Sequence, residues 1–148
     1  MKFFGAKTNR VGSRIVILLL TLPLLAGDLQ GTAVAKTLPY LAVLAADREP
    51  MVGHGHGLLG GRDGCVLLRD GLRKPTLVVA PPGYGLVAGG RRVKLVNDTG
   101  VKIAMLGLVT TLNGGYGGQY LHDRAGLNAI LTVPVPDTCI FGYVFFVH

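Results

Sequence analysis

Apolar and polar positions change rhythm several times along this chain. From Ile15 to Ala26 the residues are almost uniformly apolar (IVILLLTLPLLA), behind a basic start of Lys2, Lys7, Arg10 and Arg14. Residues 36–49 (KTLPYLAVLAADRE) fit no single period. Their second half has helical composition, with Pro50 as a stop, and an irregular arm fits equally. Residues 51–61 hold five glycines and two histidines and predict a flexible connector. After that, short β-branched and leucine-rich runs alternate with turn formers. The runs at 65–69, 76–80, 91–97, 101–111, 127–133 and 140–147 predict six short strands. Asp70-Gly71, Pro81-Pro82-Gly83, Asn97-Asp98-Thr99-Gly100, Asn113-Gly114-Gly115 and the stretch from Pro134 to Asp137 punctuate them. The Asn97-Asp98-Thr99-Gly100 sequence between two strong runs predicts a hairpin.

This spacing predicts an all-β fold, a small antiparallel β-barrel or sandwich of about six short strands and OB-like size. No βαβ unit fits, and residues 121–128 leave room for one helical turn. Leu67, Val78, Val93, Leu95, Ile103, Met105, Leu131, Val144 and Phe146 are the predicted core. The last run is apolar on both faces, which predicts a central strand covered on both sides. An aromatic edge strand that recruits a partner is the competing reading. An outer-membrane barrel needs at least about eight strands of about 9–11 residues, and these runs are too few and too short.

The N-terminal pattern follows the three-part plan of a secretory signal peptide over residues 1–35, with Ala33-Val34-Ala35 before a cut at Lys36. Its apolar run falls short of the roughly 20 residues a bilayer span requires, and Pro23 interrupts it. A cleaved signal is therefore favoured over a retained anchor, leaving an arm at 36–57 and a domain at 58–148. The formal charge of +7 falls to +4 once the segment's four cations and Asp28 are removed. Such a balance favours solubility and loose attraction to anionic surfaces. Export argues against nucleic acid as a partner, and no stable membrane span is expected after cleavage. Arg91, Arg92 and Lys94 form the one tight basic cluster, which reads as a guarded strand edge.

Cys65 and Cys139 are the only cysteines. In an oxidising compartment they predict one disulfide, with free thiols as the alternative. It would close a loop worth roughly 4–4.5 kcal/mol by the chain-entropy model, against a total stability of about 5–15 kcal/mol.

Exclusions narrow the chemistry. The sole serine, Ser13, lies in the signal segment, so the mature chain has no serine nucleophile, and its one glutamate is Glu49. The aspartates sit mostly at turns, where capping is their ordinary work. No CxxC motif is present. Gly53-His54-Gly55-His56-Gly57 is the most tempting metal motif, and His122 and His148 are the other histidines. His54, His56 and His122 are the candidate ligands, although a good site needs three or four donors in fixed geometry. Gly83-Tyr84-Gly85-Leu86-Val87-Ala88 nominally fits a dinucleotide fingerprint, but a Tyr-bearing turn explains it better. Gly114-Gly115-Tyr116-Gly117-Gly118-Gln119-Tyr120 offers close backbone approach and two stacking faces. Tyr84, Tyr116, Gln119 and Tyr120 are accordingly the candidate ligand-binding residues. No cofactor is expected.

From Gly64 onward the punctuation resembles a group of small exported bacterial β-barrel-like domains closed by a Cys…Cys pair. Gly64-Cys65-Val66-Leu67-Leu68, Pro81-Pro82-Gly83-Tyr84, Asn97-Asp98-Thr99-Gly100-Val101-Lys102-Ile103-Ala104, Leu112-Asn113-Gly114-Gly115-Tyr116 and Val135-Pro136-Asp137-Thr138-Cys139 carry the likeness. The pattern expects a polar residue near 106–108, where this chain has Leu106-Gly107-Leu108. The resemblance implies a fold and an exported location; it brings no activity and no catalytic residues.

The sequence thus leads to an exported, non-catalytic binding or structural module of the bacterial envelope, with a small ligand or an envelope protein as partner. The alternatives are a metal-handling protein or small hydrolase built on the Gly-His-Gly-His segment, and an assembly subunit pairing through its C-terminal strand.

Overall fold

Two long strands, β2 (His54–Gly60) and β8 (Leu108–Tyr116), pair antiparallel from His54↔Asn113 to Leu59↔Leu108. Around them β3 (Leu67–Arg69), β4 (Thr76–Ala80) and β9 (Tyr143–Val147) complete a closed five-stranded barrel in the order β4-β3-β2-β8-β9. The computed structural model describes residues 37–71 and 74–148; the expected signal peptide, 1–35, lies outside the described residues. A two-residue strand, β1 (Ala42–Val43), runs parallel to β4 at Val79 and Ala80, just beyond the end of β3. A separate meander of β5 (Gly85–Gly89), β6 (Arg92–Val96) and β7 (Lys102–Met105) forms a second sheet. One helix, α1 (Arg124–Ala129), follows β8.

The barrel is mixed, not antiparallel as the strand spacing predicts. β9 is antiparallel to β8 but parallel to β4, from Thr76↔Tyr143 to Val79↔Phe146. The connection through α1 joins β9 to its antiparallel neighbour β8, while the parallel pair β4–β9 is joined through the whole of β5 to β8, far longer than a hairpin turn.

Closure gives the barrel a narrow interior. A Cβ on Gly55 would lie 3.0 Å from both Leu68 and Phe145, although β9 is not a neighbour of β2. Leu59, Leu68, Val78, Leu112 and Phe145 share this core with Val93, Leu95, Ala104 and Leu106 of the meander region. A second core lies on the other face of the wall. There Leu67, Leu77, Val79, Val144 and Phe146 pack under Leu127, Leu131, Val135 and Cys139. β4 and, from Val144 onward, β9 are therefore buried on both faces, which is why residues 144–147 are apolar throughout, whereas Ile140, ahead of the strand, is exposed. The Cys65–Cys139 disulfide, with Cα atoms 5.8 Å apart, ties the covering segment to the start of β3.

Several expectations need correction. Residues 51–61 are not a connector: β2 buries Gly55, Gly57 and Leu59 and turns His54, His56 and Leu58 outward, a period-2 pattern that its glycines conceal. The arm carries no helix at 42–49; Ala42 and Leu44 are buried in the second core. The domain thus includes the arm, and a boundary at residue 58 would cut β2. The 127–133 run is helix and turn, because Asp123 caps α1 by accepting from Gly126 N at 2.7 Å. The 101–111 run breaks at Leu106-Gly107, where the chain passes from the meander to the barrel. Ile103 and Met105 are not core residues: the register shifts between Leu95 and Val96, and Ala104 and Leu106 point inward instead.

Candidate functional site

Three segments that are remote in sequence meet beside the C-terminal end of β9. The arm arrives through hydrogen bonds from Leu44 N to Ala80 O and from Ala45 N to Ile130 O, which fix where residues 47–51 can lie. The end of β4 leads into a Pro81-Pro82-Gly83-Tyr84 turn, closed by Tyr84 N donating to Pro81 O at 3.3 Å. Gly83 has φ +80°, the left-handed position of a type II turn after proline. Asp98, in the β6–β7 turn, packs against this glycine.

Together these segments enclose a groove of about 800 Å³, lined by Asp47, Arg48, Glu49, Met51, Pro81, Pro82, Tyr84, Asp98, Gln119 and residues 146–148. That volume lies within the range typical of small-molecule sites, roughly 300–1,000 Å³. Arg48 holds one wall in place. Its Nη1 donates to the Tyr120 hydroxyl at 2.9 Å, and its guanidinium lies 5.4 Å from the Phe146 ring centroid and 5.7 Å from that of Tyr120. The two rings are 5.6 Å apart. A planar cation over aromatic faces gains from their quadrupoles even while partly hydrated. Among the described residues, Asp47, Glu49 and Asp98 make no ion pair, whereas Arg124 and Asp137, away from the groove, pair at 3.6 Å.

The candidate residues divide. Tyr84 and Gln119 line the groove, and Tyr120 supports it through Arg48. Tyr116 does not join them: it is the last residue of β8, half-exposed and edge-on to Phe145 at 5.1 Å. Residues 114–116 are strand, and only 118–120 form a single 3-10 turn.

The histidines are likewise separated. His54 and His56 lie on the outer face of β2, with Nδ1 atoms 3.1 Å from Asn113 Oδ1 and 2.9 Å from Thr111 Oγ1. His122 borders a different, smaller depression with Arg124 and Asp137. Among the described residues no three His, Cys, Asp or Glu side chains gather in a metal-binding group.

Arg48, Asp98 and Phe146 are the groove residues that sequence reasoning missed. The Asp47-Arg48-Glu49 triplet before Pro50 was the available signal, a dense charge group in an otherwise apolar arm. Comparison with protein-family models, curated proteins and solved structures finds no match for this chain.

Proposed function

We propose that this protein is an exported, non-catalytic binding module whose ligand occupies the groove between the arm, the Pro81–Tyr84 turn and the end of β9. The observation that carries this reading is the meeting of Tyr84 and Gln119 with an aromatic-stacked Arg48 in one groove of about 800 Å³. Pro81, Pro82 and Phe146 offer apolar surface, while the carboxylates and Gln119 offer acceptors. A small amphipathic molecule with hydrogen-bond donors suits this lining. The buried Cys65–Cys139 disulfide and the basic-then-apolar N-terminal pattern support an oxidising destination, periplasmic or extracellular.

A thermal-shift screen of small polar and amphipathic compounds tests the groove, using the native protein beside Tyr84→Ala and Arg48→Ala. Compounds that stabilise the native protein should lose most of their effect in both variants. Hits that survive both substitutions unchanged would place the ligand elsewhere. Mass spectrometry of exported protein tests the destination: a chain starting at Lys36 and two hydrogens lighter than its reduced form is expected, and a full-length reduced chain would contradict it.

A further inference from the structure

β5 is an edge strand without the usual protection. It has one strand neighbour among the described residues, β6, and its sequence, Gly-Leu-Val-Ala-Gly, carries no charge and no proline. Edge strands of soluble proteins are normally blunted by charges, proline or bulges. The opposite edge of the same sheet, β7, has such devices: Lys102 and the register shift between Leu95 and Val96. Val87 and Ala88 are exposed on β5, Val87 at 48%.

The hairpin geometry fixes which backbone groups face out. Gly89 pairs with Arg92 across a two-residue turn in which Gly90 has φ +62° and Arg91 does not enter positive φ, the pattern of a type II′ turn. Residues flanking such a turn exchange hydrogen bonds, so Gly89, Val87 and Gly85 bond to β6. By alternation, the N–H and C=O groups of Leu86 and Ala88 point away from β6.

We infer that β5 pairs antiparallel with β5 of a second copy of this chain, about a two-fold axis at Val87. In this register Leu86 faces Ala88 of the partner, and the outward groups of both residues form four hydrogen bonds. The two Val87 side chains meet in the close, non-hydrogen-bonded position, where cross-strand apolar contact is strongest. Charge complementarity favours a second copy over an unrelated strand. Because this register sets Gly89 opposite Gly85 of the partner, the hairpin tip at Gly90-Arg91 lies beside the turn that carries Gly83 in the other copy. Gly83 lies against Asp98, close enough that a Cβ on Gly83 would be 2.8 Å from the Asp98 Cβ. The exposed cations at the hairpin tip, Arg91 and Arg92, therefore meet Asp98 of the other copy, twice over by symmetry. Asp98 also lines the groove, so the pairing shares that residue with the proposed site, while its strand hydrogen bonds do not depend on what the groove binds.

Sedimentation velocity over a concentration series tests the inference. The native protein should show a reversible monomer–dimer equilibrium. Val87→Lys places like charges on the axis, and Ala88→Pro removes an outward N–H that β6 does not use. Each should weaken dimerisation about tenfold or more, with far-UV circular dichroism and thermal unfolding unchanged. Arg91→Glu with Arg92→Glu should weaken it too, and adding Asp98→Arg to that pair should restore it. A native protein that stays monomeric at its highest soluble concentration overturns the inference. So does a dimer indifferent to Val87→Lys, or one that Arg91→Glu with Arg92→Glu leaves unchanged.

Discussion

Gly114 and the carbonyl of Phe146 are in such close contact that a Cβ on the glycine would fall 1.8 Å from the oxygen. The obstacle is backbone of the adjacent strand, which cannot swing aside as a flexible side chain can. Gly57 stands in the same relation to Arg69 O, at 2.3 Å. Both glycines also hold φ near +150°, which side chains rarely adopt. Gly114→Ala and Gly57→Ala should each cost about 3 kcal/mol or more. Gly60→Ala, where no atom lies within 4 Å of a Cβ, should change stability little. Urea unfolding of the three variants makes the comparison, and equal effects would contradict the close packing.

The disulfide joins the wall of the barrel to its outer cover. Replacing both cysteines, Cys65→Ala with Cys139→Ala, should lower stability by roughly 2–5 kcal/mol. Segment 131–141 should lose hydrogen-exchange protection before the barrel strands do, since Val135 and Cys139 hold it to the second core. Uniform loss of protection across β2 and β8 at the same rate would count against this.

Phe145 fills the barrel interior and is fully buried. Phe145→Ala should cost about 3–5 kcal/mol, because its site is enclosed by strands that cannot collapse inward. Denaturant titration gives the value, and a cost below about 1 kcal/mol would mean the interior is not close-packed there.

Tyr40 supplies a pH signature. Its hydroxyl donates to Val133 O at 2.6 Å, and burial raises the phenol above its ordinary value of 10.0, with Arg124 partly opposing. The folded state therefore prefers the neutral ring. Its contribution is fully present below about pH 10, the unfolded value, and is lost as pH rises through the higher folded value. The stability difference between native protein and Tyr40→Phe should be constant below that point and shrink above it. A difference that grows with pH in urea titrations would reverse the sign and refute the assignment.

Much of the β architecture was legible because its signals are local. The 76–80 run coincides with β4, and the Asn97 turn joins β6 to β7 with the Asn97 side chain accepting from Val101 N. The double-sided apolarity of β9 announced burial on both faces. What stayed hidden depended on distant partners. The glycines of β2 have the composition of a linker, whereas Gly57 is required because the Arg69 backbone leaves no room for a side chain and Gly55 because Leu68 and Phe145 fill the space. Tyr84 and Gln119 were recognisable as residue types, but not as neighbours of Arg48, since their segments meet only after the barrel closes.

The sequence by itself determined the all-β class, the cysteine pair that forms the disulfide and most of the turns. Each follows from residue chemistry within a few positions, or from a count of two. The tertiary structure alone decided the parallel closure of β9 on β4, the second core outside the barrel and the groove at the end of β9. Those depend on which strand completes which edge, and that is settled by long-range backbone pairing and shared burial, for which no short stretch of chain carries a code.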